Sequence, residues 1–291
     1  MGELLPSLLP IKQQIQYNLM INMEGTNNNI DERKKHIVLV HGACHGAWCW
    51  FKLKPLLEAA GHRVSAFDLS ASGTNSKVIQ QVITFADYTA PLLEFLAAIP
   101  PEDKVVLVGH SNGGLCIALA MEKYPEKISL AVFLTAFMPD TVHKPSYVFD
   151  KFYESIPKED WLDTSFLPYT NDQNESDIKL LFGQKFLSLN MYQLCSDEDR
   201  ELVKILARPI PLFLNDLPKA QPYTEEAYGS VKRAYILCDE DKTIKEEFQR
   251  WMIKNNPVVE MKELKGVDHM PMISDPKQLS TCLLDLARGY D

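Results

Sequence analysis

One stretch constrains this chain more than any other: Val105-Val-Leu-Val-Gly-His-Ser-Asn-Gly-Gly114. An apolar, β-branched run stops at Gly109, and a helical pattern, Leu115 to Lys123, starts just beyond Gly114. Between them Ser111 has Gly109 two residues before it and Gly113 two residues after. A strand that turns straight into a helix must make a tight, strained corner, and glycine leaves room on either side of it. This is the arrangement of a nucleophile elbow, which lifts a serine hydroxyl clear of a sheet. The bare pattern occurs by chance in many sequences, so its setting carries the weight. A plain turn serine is the competing reading of Ser111.

The surrounding chain repeats the strand-then-helix rhythm. Apolar runs at His36 to Val40 and Ile128 to Ala136, together with Arg63 to Leu69, Val231 to Leu237 and Val258 to Leu264, read as strands. Helical spacing predicts helices over Trp48 to Ala60, Phe85 to Ile99, Lys245 to Asn255 and Pro276 to Tyr290, with Pro55 bending the first or marking its regular start. Such alternation predicts an α/β fold with a mostly parallel, doubly wound sheet. The rhythm lapses between residues 141 and 225, where aromatics, Pro, Asp and Asn accumulate. That segment reads as a helical cap inserted over the active-site end of the sheet. It shows short helical pieces (Ile178 to Leu187, Asp197 to Ala207) and no strand. Residues 36–291 are thus expected to form one domain. Residues 1–35 read as a disordered N-terminal extension: Pro6 and Pro10 break its leucines, no basic segment precedes them, and a polar stretch follows.

A net charge of −9 argues against nucleic acid or an anionic membrane surface as the main partner. No apolar run approaches the length of a membrane span. The six cysteines lack C-x-x-C spacing, which favours free thiols in a reducing, cytoplasmic setting over disulfides or zinc.

A serine hydroxyl needs a base to take its proton, and the base needs a carboxylate to hold its tautomer. On a parallel sheet all three groups come from loops at the carboxyl ends of strands, in the order Ser, acid, His. Asp241 follows the strand ending at Leu237, and His269 follows the one ending near Leu264. Asp239, Glu240 and Asp268 stand nearby as alternative acids. The oxyanion of an acyl-transfer reaction needs backbone donors, for which Asn112 and the small residue Ala43 are placed. His41, His45 and His110 read as loop packing, since no acidic residue beside them would complete a metal site.

With these residues in hand, the motifs His41-Gly-Ala-Cys-His-Gly-Ala-Trp-Cys-Trp50, Ala136-Phe-Met-Pro-Asp140, Ser230-Val-Lys-Arg-Ala-Tyr235, Glu246-Glu-Phe-Gln-Arg-Trp251 and Asp268-His-Met270 resemble the plant methylesterase family. That family holds hormone methyl-ester esterases, alkaloid esterases and α-hydroxynitrile lyases. The resemblance runs from His36 to the C-terminus. It implies an α/β-hydrolase fold, catalysis by Ser111, Asp241 and His269, an oxyanion hole from Ala43 and Asn112, and acyl-pocket walls including Phe137 and Trp161. It further implies a small-molecule methyl ester as substrate, no cofactor or metal, and homodimers as a common assembly. The lyases carry threonine at the position of Gly42 and lysine at that of Met270, so the esterase branch is expected. Asn112 departs from the family, which usually has a large apolar residue there. Its amide beside the acyl pocket leans the expected substrate towards a nitrogen-bearing ester, such as an alkaloid carbomethoxy group, over a hormone ester.

Overall fold

A computed structural model describes residues 34–290, so the expected N-terminal extension lies outside the described residues apart from Lys34 and Lys35. The strands are β1 (His36–Val40), β2 (Arg63–Ala66), β3 (Val105–His110), β4 (Ile128–Leu134), β5 (Ser165–Thr170), β6 (Ser176–Leu181), β7 (Ile210–Pro211), β8 (Arg233–Cys238) and β9 (Glu260–Leu264). The longer helices are α1 (Lys54–Ala59), α2 (Phe85–Ala98), α3 (Gly113–Lys123), α4 (Ser146–Ser155), α5 (Asp197–Leu206), α6 (Glu246–Asn255) and α7 (Pro276–Arg288).

Six strands form an all-parallel sheet in the order β2-β1-β3-β4-β8-β9. Parallel strands need crossovers, and helices supply them, so the inner strands β1, β3, β4 and β8 are buried almost throughout, while the edge strands β2 and β9 keep charged, partly exposed residues. Successive residues point to opposite faces. Val38, Val40, Leu107, Phe133 and Tyr235 join one buried layer with α2, α3 and α6. Ile37, Leu39, Val106, Val108 and Ile236 join the other, against α1 and α7. The chain winds outward from β1 in both directions, so the sheet reverses order between β1 and β3. Loops leaving adjacent strands part there, opening a crevice at their carboxyl ends.

Two expectations need correction. Trp48 to Ala60 is not one helix: a 3-10 turn (Ala47–Trp50) precedes α1, and Pro55 falls in the first turn of α1. Proline lacks the N–H that a helix interior requires but is tolerated in a first turn, so the regular helix begins around it. The larger miss is in the 141–225 segment, where β5, β6 and β7 form a three-stranded antiparallel sheet. Ser176–Leu181, read in part as helix, is its central strand. The strands escape notice because β5 contains Pro168 and mostly exposed residues, and β6 buries only Leu180 fully. Without a buried face there is no apolar alternation to read. The expected helix after Asp197 is present as α5, where Ser196 Oγ accepts from Asp199 N.

Candidate active site

The elbow after β3 has the geometry its glycines foretell. Ser111 adopts φ +54°, a left-handed conformation uncommon for a residue with a side chain. A Cβ on Gly109 would stand 2.7 Å from the Gly113 carbonyl, and one on Gly113 would stand 2.7 Å from the carbonyls of both Val40 and His41. Backbone cannot yield at such distances, so both positions require glycine. The Ser111 carbonyl accepts from Gly114 N at 3.0 Å and Phe137 N at 3.1 Å, which fixes the corner.

Three side chains from separate loops meet here. His269 Nε2 lies 3.0 Å from Ser111 Oγ, and its Nδ1 lies 2.7 Å from Asp241 Oδ2. All three are buried. Asp241 Oδ1 accepts from the backbone N–H of Thr243 at 2.7 Å and Ile244 at 2.9 Å, and Thr135 Oγ1 donates to Oδ2. These three donors fix the position and orientation of the carboxylate. Gln249, fully buried, braces the same loop by donating to the Ile244 carbonyl at 2.7 Å. With Asp241 at Nδ1, the Nε2 of His269 faces Ser111 as an acceptor and can take the hydroxyl proton.

The competing acids are otherwise engaged. Asp239 Oδ1 accepts from Gly266 N at 2.7 Å, and Glu240 is exposed. Asp268 is fully buried and turns away from the imidazole. Its Oδ2 accepts from Leu194 N at 2.9 Å and its Oδ1 from Met270 N at 3.0 Å, while desolvation pushes its pKa up. It therefore ties the histidine loop to the segment over the sheet.

The other buried histidines support the backbone. His41 Nε2 accepts from Leu69 N at 3.1 Å, so Nδ1 carries the proton and donates to the Gly42 carbonyl at 2.9 Å. The carbonyl and N–H of one trans peptide point in opposite directions. Anchoring Gly42 O therefore orients the Ala43 N–H. His45 Nδ1 lies 2.7 Å from the Ala43 carbonyl and Nε2 lies 2.6 Å from Tyr192 Oη. His110 Nε2 lies 2.8 Å from the His269 carbonyl, behind the base. Burial lowers the pKa of all three, that of His45 to about 3, and keeps them neutral. Neither Ala43 N nor Asn112 N has an acceptor among the described residues. No cluster among those residues could hold a metal ion.

Above Ser111 lies a narrow cavity walled by Phe137, Phe149, Phe152, Tyr153 and Trp161, with Ala43 and Asn112 at its base. Phe137 packs edge-on against Phe149 and Phe152, both on α4, and Trp161 stacks on Tyr153 and Phe186. All seven expected site residues thus lie at the catalytic array or along this cavity. Thr135, Gln249 and Tyr192 escaped the sequence reading. Thr135 follows β4, and only the sheet order, which sets β4 beside β8, brings it to Asp241. A Cβ on Gly42 would stand 2.9 Å from Ser111 Cβ, and Met270 is fully buried. Neither position offers the polar group a cyanohydrin lyase would use.

The sequence matches the alpha/beta hydrolase family over residues 37–281. Salicylic acid-binding protein 2 of Nicotiana tabacum is 55% identical over 88% of this chain and 98% of its own length. Methylesterase 1 of Arabidopsis thaliana is 54% identical over 89% and 98%. The crystal structure of polyneuridine aldehyde esterase superposes with a TM-score of 0.85 at 51% identity, covering 88% of this chain and all of that one.

Proposed function

The chain belongs to the alpha/beta hydrolase family, and we propose that it is a serine carboxylesterase that cleaves a methyl ester through an acyl intermediate on Ser111. The observation that carries this is the continuous array Ser111 Oγ–His269 Nε2–His269 Nδ1–Asp241 Oδ2, at 3.0 Å and 2.7 Å. His269 takes the Ser111 proton as Oγ attacks the ester carbon, and Asp241 stabilises the imidazolium that results. The unengaged N–H groups of Ala43 and Asn112 receive the oxyanion. Collapse expels methanol, protonated by His269; water then attacks the acyl-enzyme with His269 again as base. Side chains and water carry every proton transfer.

The methyl-ester reading draws on the similarity to Methylesterase 1 and polyneuridine aldehyde esterase. Among methyl esters we favour a carbomethoxy group on an alkaloid, whose acid, if β-oxo or β-imino, loses CO₂ without further catalysis. A hormone methyl ester is the second reading, supported by the mainly aromatic cavity and the similarity to a salicylic acid-binding protein. A reducing, cytoplasmic setting is supported by six unpaired, buried thiols. The test is hydrolysis of methyl salicylate, methyl jasmonate and carbomethoxy indole alkaloids, with Ser111→Ala slower by about 10⁶-fold. Turnover of the hormone esters alone reverses the preference between the two readings. Cyanide release from mandelonitrile without ester hydrolysis overturns both.

A further inference from the structure

Two buried side chains, His45 and Tyr192, stand beside the catalytic array without lining its cavity. His45 Nδ1 lies 2.7 Å from the Ala43 carbonyl, and its Nε2 lies 2.6 Å from Tyr192 Oη. A carbonyl only accepts, so Nδ1 carries the proton and donates. Burial keeps the imidazole neutral, with its pKa lowered to about 3, and this leaves Nε2 bare. A bare buried nitrogen needs a donor. The Tyr192 hydroxyl, which burial holds protonated, supplies it. The two contacts therefore select the same tautomer, each ring nitrogen being set by what the other one meets.

The loop held in this way is strained. Cys44 adopts φ +61°, a left-handed conformation that a Cβ opposes and that persists only where neighbours hold it. The Ala43 carbonyl before it is held by His45, and its own carbonyl accepts from Arg208 N at 3.1 Å. On the other side of Ala43, the Gly42 carbonyl is held by His41. Both peptides that meet at Ala43 are thus anchored, and with them the direction of its N–H. Tyr192 is a firm post for this purpose. Its N–H donates to the Leu187 carbonyl at 2.8 Å, closing a π-helical turn (Leu187–Met191). Its carbonyl accepts from Cys195 N at 3.1 Å and Arg200 Nη1 at 3.2 Å. Such turns are rare and recur at functional sites. Among the described residues the Tyr192 hydroxyl has no hydrogen bond other than that to His45.

Resting on the esterase reading above, we infer that Tyr192 is a positioning residue for the oxyanion hole: its hydroxyl fixes the tautomer and orientation of His45, and His45 in turn seats the Ala43 N–H. Tyr192 touches neither the substrate nor the reacting atoms. Without the hydroxyl, Nε2 is left bare in a dry site, a costly state that the ring relieves by turning and releasing the Ala43 carbonyl. Cys44 then relaxes from its left-handed conformation and carries the oxyanion donor out of line. The loss falls on the transition state, where the oxyanion exists, and spares ground-state binding.

Hydrolysis of p-nitrophenyl acetate, a small activated ester, tests this with the full-length chain. Tyr192→Phe removes only the hydroxyl, and should lower kcat about tenfold with KM within about twofold. Inhibition by 2,2,2-trifluoroacetophenone, whose ketone becomes a charged hemiketal on Ser111, should weaken by the same factor. His45→Asn places an amide N–H where Nδ1–H stood and needs no tyrosine to orient it. In that background Tyr192→Phe should cost nothing further. An unchanged kcat in Tyr192→Phe, or a loss carried by KM alone, overturns the inference. So does a second full loss in the His45→Asn background, which would show Tyr192 acting elsewhere. Should the variants not fold, 15N NMR of the histidine-labelled wild type decides. His45 should be the Nδ1–H tautomer with Nε2 accepting a hydrogen bond, and the Nε2–H tautomer overturns the inference. No hydrolysis by the wild type, together with no labelling of Ser111 by a fluorophosphonate, defeats the esterase reading itself, while the tautomer still tests the link from Tyr192 to Ala43.

Discussion

The floor and the roof of the cavity are built on opposite principles. The floor, from the loops after β1, β3, β8 and β9, is a hydrogen-bonded mesh: Asp241 has four partners, and His41, His45 and His110 each clamp a carbonyl. The roof, from the 141–225 segment, packs by rings: Trp161 alone meets Tyr153, Phe152, Phe166 and Phe186. Hydrogen bonds fix direction, which a reaction needs to within a fraction of an ångström. Ring contacts fix volume but tolerate sliding, which suits a wall that defines what fits. Reaction type and substrate range are thus encoded in different interactions.

The sharpest way to break this contrast is at the floor. Asp241→Asn keeps the shape but presents an amide to His269 Nδ1, so kcat should fall by about 10⁴-fold with KM little changed. A drop confined to KM would show that the floor binds rather than reacts. Acid should also act on the floor first. His41, His45 and His110 have folded pKa values below the unfolded value of 6.5, that of His45 at about 3. Above pH 6.5 both states are neutral and stability is complete. As pH falls below that, the unfolded chain takes up protons that the folded one refuses. Each histidine then costs up to about 1.4 kcal/mol per pH unit. Thermal melts at pH 7.5 and pH 5 should differ by several degrees, and His45→Gln should flatten the slope. The smallest effect belongs to the roof: Trp161→Ala should raise KM for a bulky ester roughly tenfold, with kcat moving less. A larger loss in kcat than in KM would mean that the roof aligns the reaction too.

The same contrast explains what was legible from the amino-acid order. The sheet announced itself because strands buried on both faces are continuous apolar runs, as in Val105 to Val108. Ser111 and Asp241 were legible because each follows such a run, and His269 because it follows the last strand in the expected chain order. The β5–β6–β7 sheet was not, since β5 and β6 are largely exposed and carry no apolar alternation, and β7 is only two residues long. Thr135 was hidden for another reason: its role depends on β4 lying beside β8, and neighbours in a sheet are not neighbours in sequence. Asn112 stood out by chemistry alone, as an amide where an apolar side chain was expected.

Asp268 carries a consequence for how such enzymes can be recombined. One buried carboxylate holds Leu194 N and Met270 N together, and Thr243 reaches the Asn190 carbonyl from the acid loop. The segment 190–195 therefore belongs mechanically to the floor, although the chain order puts it in the roof. A chimera that exchanges 141–225 as one block would replace the strap that seats the base. One that exchanges 141–189 would leave that strap in place, so the practical crossover point lies ahead of Asn190 rather than at the end of the insertion.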